Sequence, residues 1–152
     1  MMAHFHPLEV TNIHRTIRDA VVLTLKPLNG GDFTFAPGQY LTFRQEIAGQ
    51  EIRRSYSICA GRGQNLQVGI KKVPGGAFSS FANDDLAVGD QLEAMLPAGR
   101  FTLSPEPELQ RHFLGFAGGS GITPLLSLLR TILAEEPESR FPLVYANRLV
   151  SS

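Results

Sequence analysis

Within Arg53-Arg54-Ser55-Tyr56-Ser57-Ile58-Cys59, cations, an aromatic ring and two hydroxyls crowd onto a segment whose apolar–polar alternation reads as a β-strand. Side chains on a strand alternate between faces, so Arg54 and Tyr56 project together, about 7 Å apart along the backbone. That spacing suits a diphosphate beside a flat ring. A guanidinium offers a fork of donors to phosphate oxygens, each charge-assisted bond contributing roughly 1.5–3 kcal/mol, and a tyrosine ring can stack on a planar heterocycle for about 1 kcal/mol beyond its area. Ser57 supplies a small donor where such a ring carries its redox nitrogens. On these residues alone, an ordinary strand with solvent-facing Arg54 and Ser57 stays equally open.

Two glycine-rich turns add weight to the first reading. Val73-Pro74-Gly75-Gly76-Ala77-Phe78-Ser79 leads into a short helix, and its glycines let backbone amides approach an anion closely. Ala117-Gly118-Gly119-Ser120-Gly121-Ile122-Thr123-Pro124 follows an apolar strand and opens an apolar helix, the placement a dinucleotide phosphate loop requires. Either cluster alone could be a plain turn; their order along the chain carries the argument.

The sequence resembles the ferredoxin reductase superfamily of FAD-binding, NAD(P)H-dependent oxidoreductases. The resemblance rests on Pro37-Gly38-Gln39-Tyr40, Arg54-x-Tyr56-Ser57, Gly76-x-x-Ser79, Pro97-Ala98-Gly99-Arg100-Phe101 and Gly118-Gly119-Ser120-Gly121-Ile122-Thr123-Pro124. In wording it is most similar to the oxygenase reductases, among them those of phenylacetyl-CoA epoxidase systems of phenylacetate degradation, through Glu51 to Cys59, Ile70-Lys71-Lys72-Val73 and Tyr145-Ala146-Asn147-Arg148. The resemblance implies FAD as cofactor, NAD(P)H as possible substrate and an electron acceptor protein as partner. It implies that residues 54–57, Ser55 included, form the flavin pocket, with Arg54 on the diphosphate, Tyr56 against the ring and Ser57 near its reactive nitrogen. Backbone of Gly69, Ile70 and Lys71 would line the cofactor, and Gly76, Ala77, Phe78 and Ser79 would form the second phosphate turn. Gly119 and Gly121 would serve the dinucleotide loop, and Thr123 would approach flavin and nicotinamide. Ser57 and Thr123 are thus the expected catalytic residues.

Composition narrows the alternatives. A chain of 152 residues with 43% hydrophobic content suffices for one domain with a sizeable core, or one domain and part of another. Fourteen basic residues balance fourteen acidic ones, which gives no electrostatic footprint for nucleic acid or an anionic membrane. No apolar run approaches the ~20 residues needed to span a bilayer, and the start shows no basic-then-apolar leader, so a cytoplasmic location is expected. The single cysteine, Cys59, excludes an internal disulfide and a four-thiolate iron–sulfur cluster from this chain. That departs from oxygenase reductases carrying a plant-type ferredoxin domain. Four histidines without ligand spacing argue against a metal site.

The elements that must position these residues follow from turn spacing. Strands are expected at Leu8 to Arg15, Ala20 to Pro27, Gln39 to Ile47, Ile52 to Cys59, Leu66 to Val73, Gln91 to Leu96 and Arg100 to Leu103, with one short helix from Phe78 to Leu86. This pattern implies a mainly β fold: a small antiparallel Greek-key β-barrel over residues 1–105 that binds FAD. Ser104-Pro105-Glu106-Pro107-Glu108 marks a boundary. Beyond it, an apolar strand His112 to Ala117, a helix Thr123 to Ala134 with its leucines in the core and Thr123 as its cap, and a strand Phe141 to Ala146 make one βαβ unit, a partial NAD(P)-binding domain over 106–152. Arg53 and Asp84 read as solvated charges. A lone βαβ unit leaves a sheet face uncovered, so a homodimer through the incomplete sheet, or a truncation of a longer reductase, is expected. The functional expectation is a flavin-dependent oxidoreductase moving electrons from NAD(P)H through FAD to an acceptor. The alternative is a non-catalytic FAD-binding module that needs a partner to supply the rest of the NAD(P) site.

Overall fold

The computed structural model describes residues 2–148; Met1 and residues 149–152, the outer ends of the two expected domains, lie outside them. Apolar side chains at every second position build the first lobe. Strand β1 is His6–Ile17, β2 Ala20–Pro27, β3 Tyr40–Ile47, β4 Gln50–Ser57 and β5 Leu66–Lys71. Helix α1, Ala77–Asp84, follows, and then β6, Gln91–Ala94. In β2 and β5 the inward residues Val21, Leu23, Leu25, Leu66, Val68 and Ile70 are all buried, and Leu8, Leu41, Phe43 and Leu92 from the other strands join the same core. Each such side chain contributes about 1.5–3 kcal/mol relative to an exposed one.

The six strands form one antiparallel sheet in the order β4-β3-β6-β1-β2-β5, the crossovers of a Greek-key path. Its two edges meet at a single bridge, Ile58 to Val68, backed by the Cys59 N–H donating to the Gln67 carbonyl at 2.9 Å. Helix α1 plugs the curled sheet by inserting Phe78, which lies 5.7 Å from the Phe43 ring and 5.6 Å from that of Tyr56. The expected strand at Arg100 to Leu103 does not form. Pairing in that region reduces to the Tyr40–Ala98 bridge, and the chain then crosses Gly38 so closely that a Cβ there would lie 1.8 Å from the Phe101 carbonyl oxygen.

Strand β7, Gly115–Gly118, a 3-10 turn Gly119–Gly121, helix α2, Ile122–Glu135, and strand β8, Leu143–Ala146, make the parallel βαβ unit. The β7–β8 ladder is shorter than the apolar runs on either side of it. His112 bridges Arg140 in the same register, but Pro142 has no N–H to continue the ladder between that bridge and Gly115. Thr123 does not cap α2: Gly121 occupies the cap, and the Thr123 hydroxyl, in the first turn, donates back to the Ser120 carbonyl at 2.9 Å. Leu125, Leu128 and Ile132 are core as expected, whereas Leu133 is exposed.

A polar seam ties α2 to the loop after β4. Ser127 donates to the Ala60 carbonyl at 2.6 Å, the Arg62 N–H donates to Thr131 Oγ1 at 2.9 Å, and the Arg62 guanidinium pairs with Glu135. At the far end of α2 the fully buried Glu136 accepts from the Arg111 guanidinium, from Ser139 Oγ at 2.6 Å and from the Glu106 N–H at 3.1 Å. Arg111 holds its carboxyl down to about 2, with the Ser139 and Glu106 bonds assisting and burial opposing. The other face of the two-stranded sheet is open, with Leu114, Phe116 and Val144 exposed. No helix among the described residues is long and apolar enough to cross a membrane.

Candidate functional site

Strand alternation divides the 54–57 segment between two faces. The register opposes Phe43 to Arg54 and Leu41 to Tyr56, which puts Arg54 and Tyr56 on the core-side face at the sheet edge. Tyr56 is half-buried against Phe43 and Phe78. Burial pushes its phenol up, and the charge of nearby Arg54 pulls the other way. Arg54 is exposed and folds back so that its guanidinium donates to the Arg53 carbonyl at 2.7 Å. Ser55 turns to the opposite face, where its hydroxyl meets Thr42 Oγ1 at 2.8 Å. Arg53 also lies on that face and is not a lone charge: it pairs with Glu51 and, with Arg44, covers the Phe5 ring. Asp84 likewise pairs with Lys72, at 2.6 Å.

A cleft of about 780 Å³ opens where β4, β5 and the turn before α2 converge. Ser55, Tyr56 and Ser57 form one wall, Gly69 and Lys71 a second, and Gly119 and Thr123 a third. The contact between the last two walls is tight. The Thr123 methyl stands over Gly69 so closely that a Cβ there would come within 3.0 Å of it, which explains a glycine in mid-strand. Gly119 adopts φ +52°, a conformation that favours glycine, and its carbonyl accepts from the Tyr145 hydroxyl at 3.1 Å. Gly121 has φ −62° and borders no part of the cleft.

The glycine-rich turn expected to meet a second phosphate is arranged around Ser79. Its buried hydroxyl accepts from the Val73 N–H at 3.0 Å and donates to the Gly76 carbonyl at 3.4 Å, so it holds the turn in shape instead of facing the cleft. Phe78 points into the core, as does Ile70, whose carbonyl accepts from Asn83 at 3.2 Å. Gly76, Ala77, Phe78 and Ser79 therefore lie beside the cleft and can reach an anion only through backbone amides. The first turn of α1 has no side-chain cap and no acidic residue, which leaves its N–H groups and dipole for negative charge.

The expected site residues leave out Lys72 and Arg148, and also Val73 and Pro74, although these two open the expected phosphate turn; all four border the cleft, with Ala146 and Asn147. The signal lay in the strand–loop rule that ligands gather at the carboxyl ends of parallel strands, where Asn147 and Arg148 follow β8. Lys71, Lys72 and Arg148 put cations on the cleft, and no Asp or Glu lines it. A basic cleft with a tyrosine edge, a bare glycine floor and an uncapped helix start fits a dinucleotide carrying a planar ring.

Comparison with known proteins gives this geometry a lineage. One component of the 1,2-phenylacetyl-CoA epoxidase of Escherichia coli (strain K12) is 41% identical over 155 residues, covering 99% of this chain and 43% of that protein. The propane 2-monooxygenase reductase component of Rhodococcus jostii (strain RHA1) is 39% identical over 123 residues, covering 80% of this chain and 32% of that protein. The solved Amycolatopsis cytochrome P450 reductase GcoB superposes with a TM-score of 0.78 at 29% identity, over 99% of this chain and 46% of its own. The chain thus spans less than half the length of these relatives. Residues 7–103 match the family described as the oxidoreductase FAD-binding domain, and the chain belongs to that family.

Proposed function

We propose that this chain holds FAD in the cleft between β4, β5 and the start of α2, and serves in moving electrons from NAD(P)H to an acceptor protein in the cytoplasm. The observation that carries the reading is the convergence of Tyr56, Ser57, Gly69 and Thr123 on one basic cleft without a carboxylate. Bound FAD supplies exchange between a two-electron hydride donor and one-electron acceptors. The protein's part is position. Tyr56, fixed by Phe78 and Phe43 behind it, would lie against the cofactor's ring. Arg54, which bonds the Arg53 carbonyl, and the amides of residues 76–79 would hold the diphosphate. Ser57 offers a hydroxyl at the cleft wall, and Thr123, through its contact with Gly69, would limit the approach of a second ring.

In this reading residues up to about 105 form the flavin lobe and the remainder the start of the nicotinamide lobe. The relatives' oxygenase systems point to an oxygenase component as the acceptor. A cover for the open β7–β8 face, from a second copy or from additional chain, also belongs to this reading.

The test is spectroscopic. Purified protein loaded with FAD is mixed with NADH or NADPH under anaerobic conditions, and the visible flavin band is followed. Uptake of FAD followed by rapid bleaching is expected. Uptake without bleaching would reduce the role to holding FAD for a partner, and failure to take up FAD would defeat the proposal.

A further inference from the structure

Behind the wall made by Gly69 and Thr123 lies a second cleft of about 720 Å³, which neither Tyr56 nor Ser57 reaches. Its floor is the outer face of β1, β2 and β5. The registers Val22 to Gly69 and His14 to Val22 set an apolar side chain and a bare glycine in the middle of that floor, and Lys71 follows two residues along β5. Its roof is α2. Ile122, Leu126 and Arg130 recur every four residues, fall on one stripe of the helix and all line the cleft.

The charges sit at the ends. Arg130 donates to the Cys59 carbonyl at 3.1 Å, and the Cys59 N–H bonds the Gln67 carbonyl, so the guanidinium lies at the Gln67 end of β5. Lys71 is four residues away, about 13 Å along an extended strand. No Asp or Glu lines the cleft, and among the described residues neither Arg130 nor Lys71 forms an ion pair. An apolar stripe of Val22, Ile122 and Leu126, flanked by the polar Asn12, His14, Thr16 and Gln67 and ending at a carbonyl-anchored guanidinium, complements an anion on an alkyl body. An uncharged ligand would leave the cations without a counter-charge, and a compact anion would leave that stripe uncovered.

We propose that this cleft binds a medium-chain aliphatic carboxylate, its head group on Arg130 and its chain between Val22 below and Leu126 and Ile122 above. None of these four residues lines the flavin cleft, although Gly69, Lys71, Gly119, Ser120 and Thr123 border both, so substitutions at the four report on this cleft alone.

Calorimetric titration of the full chain with butanoate, hexanoate and octanoate tests it, with octylammonium as the charge control. One-to-one saturable binding is expected, tightening about fourfold for each added methylene as apolar area leaves water. Octylammonium does not bind. Arg130→Gln weakens octanoate by about tenfold or more through loss of a charge-assisted bond. Val22→Glu, which plants a carboxylate on the solvent side of the sheet, removes binding. Circular dichroism and FAD uptake of both variants report folding and the neighbouring cleft separately. Absence of saturable octanoate binding, affinity independent of chain length, or undiminished affinity in both folded variants overturns the proposal.

Discussion

At the scale of single residues, Arg54 is the sharpest probe of the proposed flavin site because the fold makes so little use of it. Its guanidinium is exposed and, among the described residues, bonds only its neighbour's carbonyl, so Arg54→Ala should shift the unfolding midpoint hardly at all, within about 0.5 kcal/mol. Loss of a charge-assisted phosphate contact should weaken FAD by about tenfold or more. Fluorescence titration with FAD beside a urea melt separates the two effects; equal FAD affinity in variant and parent would remove Arg54 from the site. Ala48 makes a different point. It occupies the two-residue turn between β3 and β4 at φ +51°, followed by Gly49 at +75°, a pairing in which Asn-Gly is the favoured combination. Ala48→Asn should therefore stabilise the chain by roughly 0.5–1 kcal/mol in urea denaturation, as the side chain that tolerates the left-handed region replaces one that does not.

At the scale of elements, strands with one face in the core were legible because alternation is a direct record of burial: β2 has the bounds its pattern implies. What the pattern misses is pairing. Arg100 to Leu103 has strand composition but no partner edge, and the apolar run from His112 yields a ladder only from Gly115, since Pro142 on the opposite strand cannot donate. The cleft was legible through Tyr56, Ser57, Gly69 and Thr123. The inward turn of Ser79 and the arrival of Lys72 depend on three-dimensional closure that no local motif encodes. Glu136 belongs to this second class, a charge in a polar stretch that the fold buries beside Arg111. Its carboxyl is held near 2 instead of the usual 4.5, so its contribution is fully present above about pH 4.5 and is lost as pH falls toward 2. Urea midpoints measured from pH 7 down to pH 2 should show a steep acid decline for the parent across that window and a flatter one for Glu136→Gln. Parallel curves would mean that the Arg111 contact does not couple folding to protonation.

At the scale of the whole molecule, the two lobes differ in how they meet water. The curled six-stranded sheet wraps around its core, whereas the β7–β8 sheet is covered on one face only, where Gly115 lies against Phe141 and Leu143. The opposite face carries Leu114, Phe116 and Val144, 59%, 69% and 51% exposed, and the register sets Phe116 directly beside Val144. Two neighbouring apolar side chains on an open sheet, with a third two residues away on the same side, form a patch of the kind that takes up hydrophobic dyes. Leu133 is comparably exposed, but it sits on α2 away from this sheet and serves as the control. Phe116→Lys combined with Val144→Thr should abolish most of the fluorescence of a bound naphthalene-sulfonate dye and leave the urea midpoint within about 0.5 kcal/mol, because neither side chain contributes to the core. Leu133→Lys should leave most of the dye signal in place. Dye binding that survives the double substitution but falls with Leu133→Lys would move the principal apolar surface from the sheet to the helix.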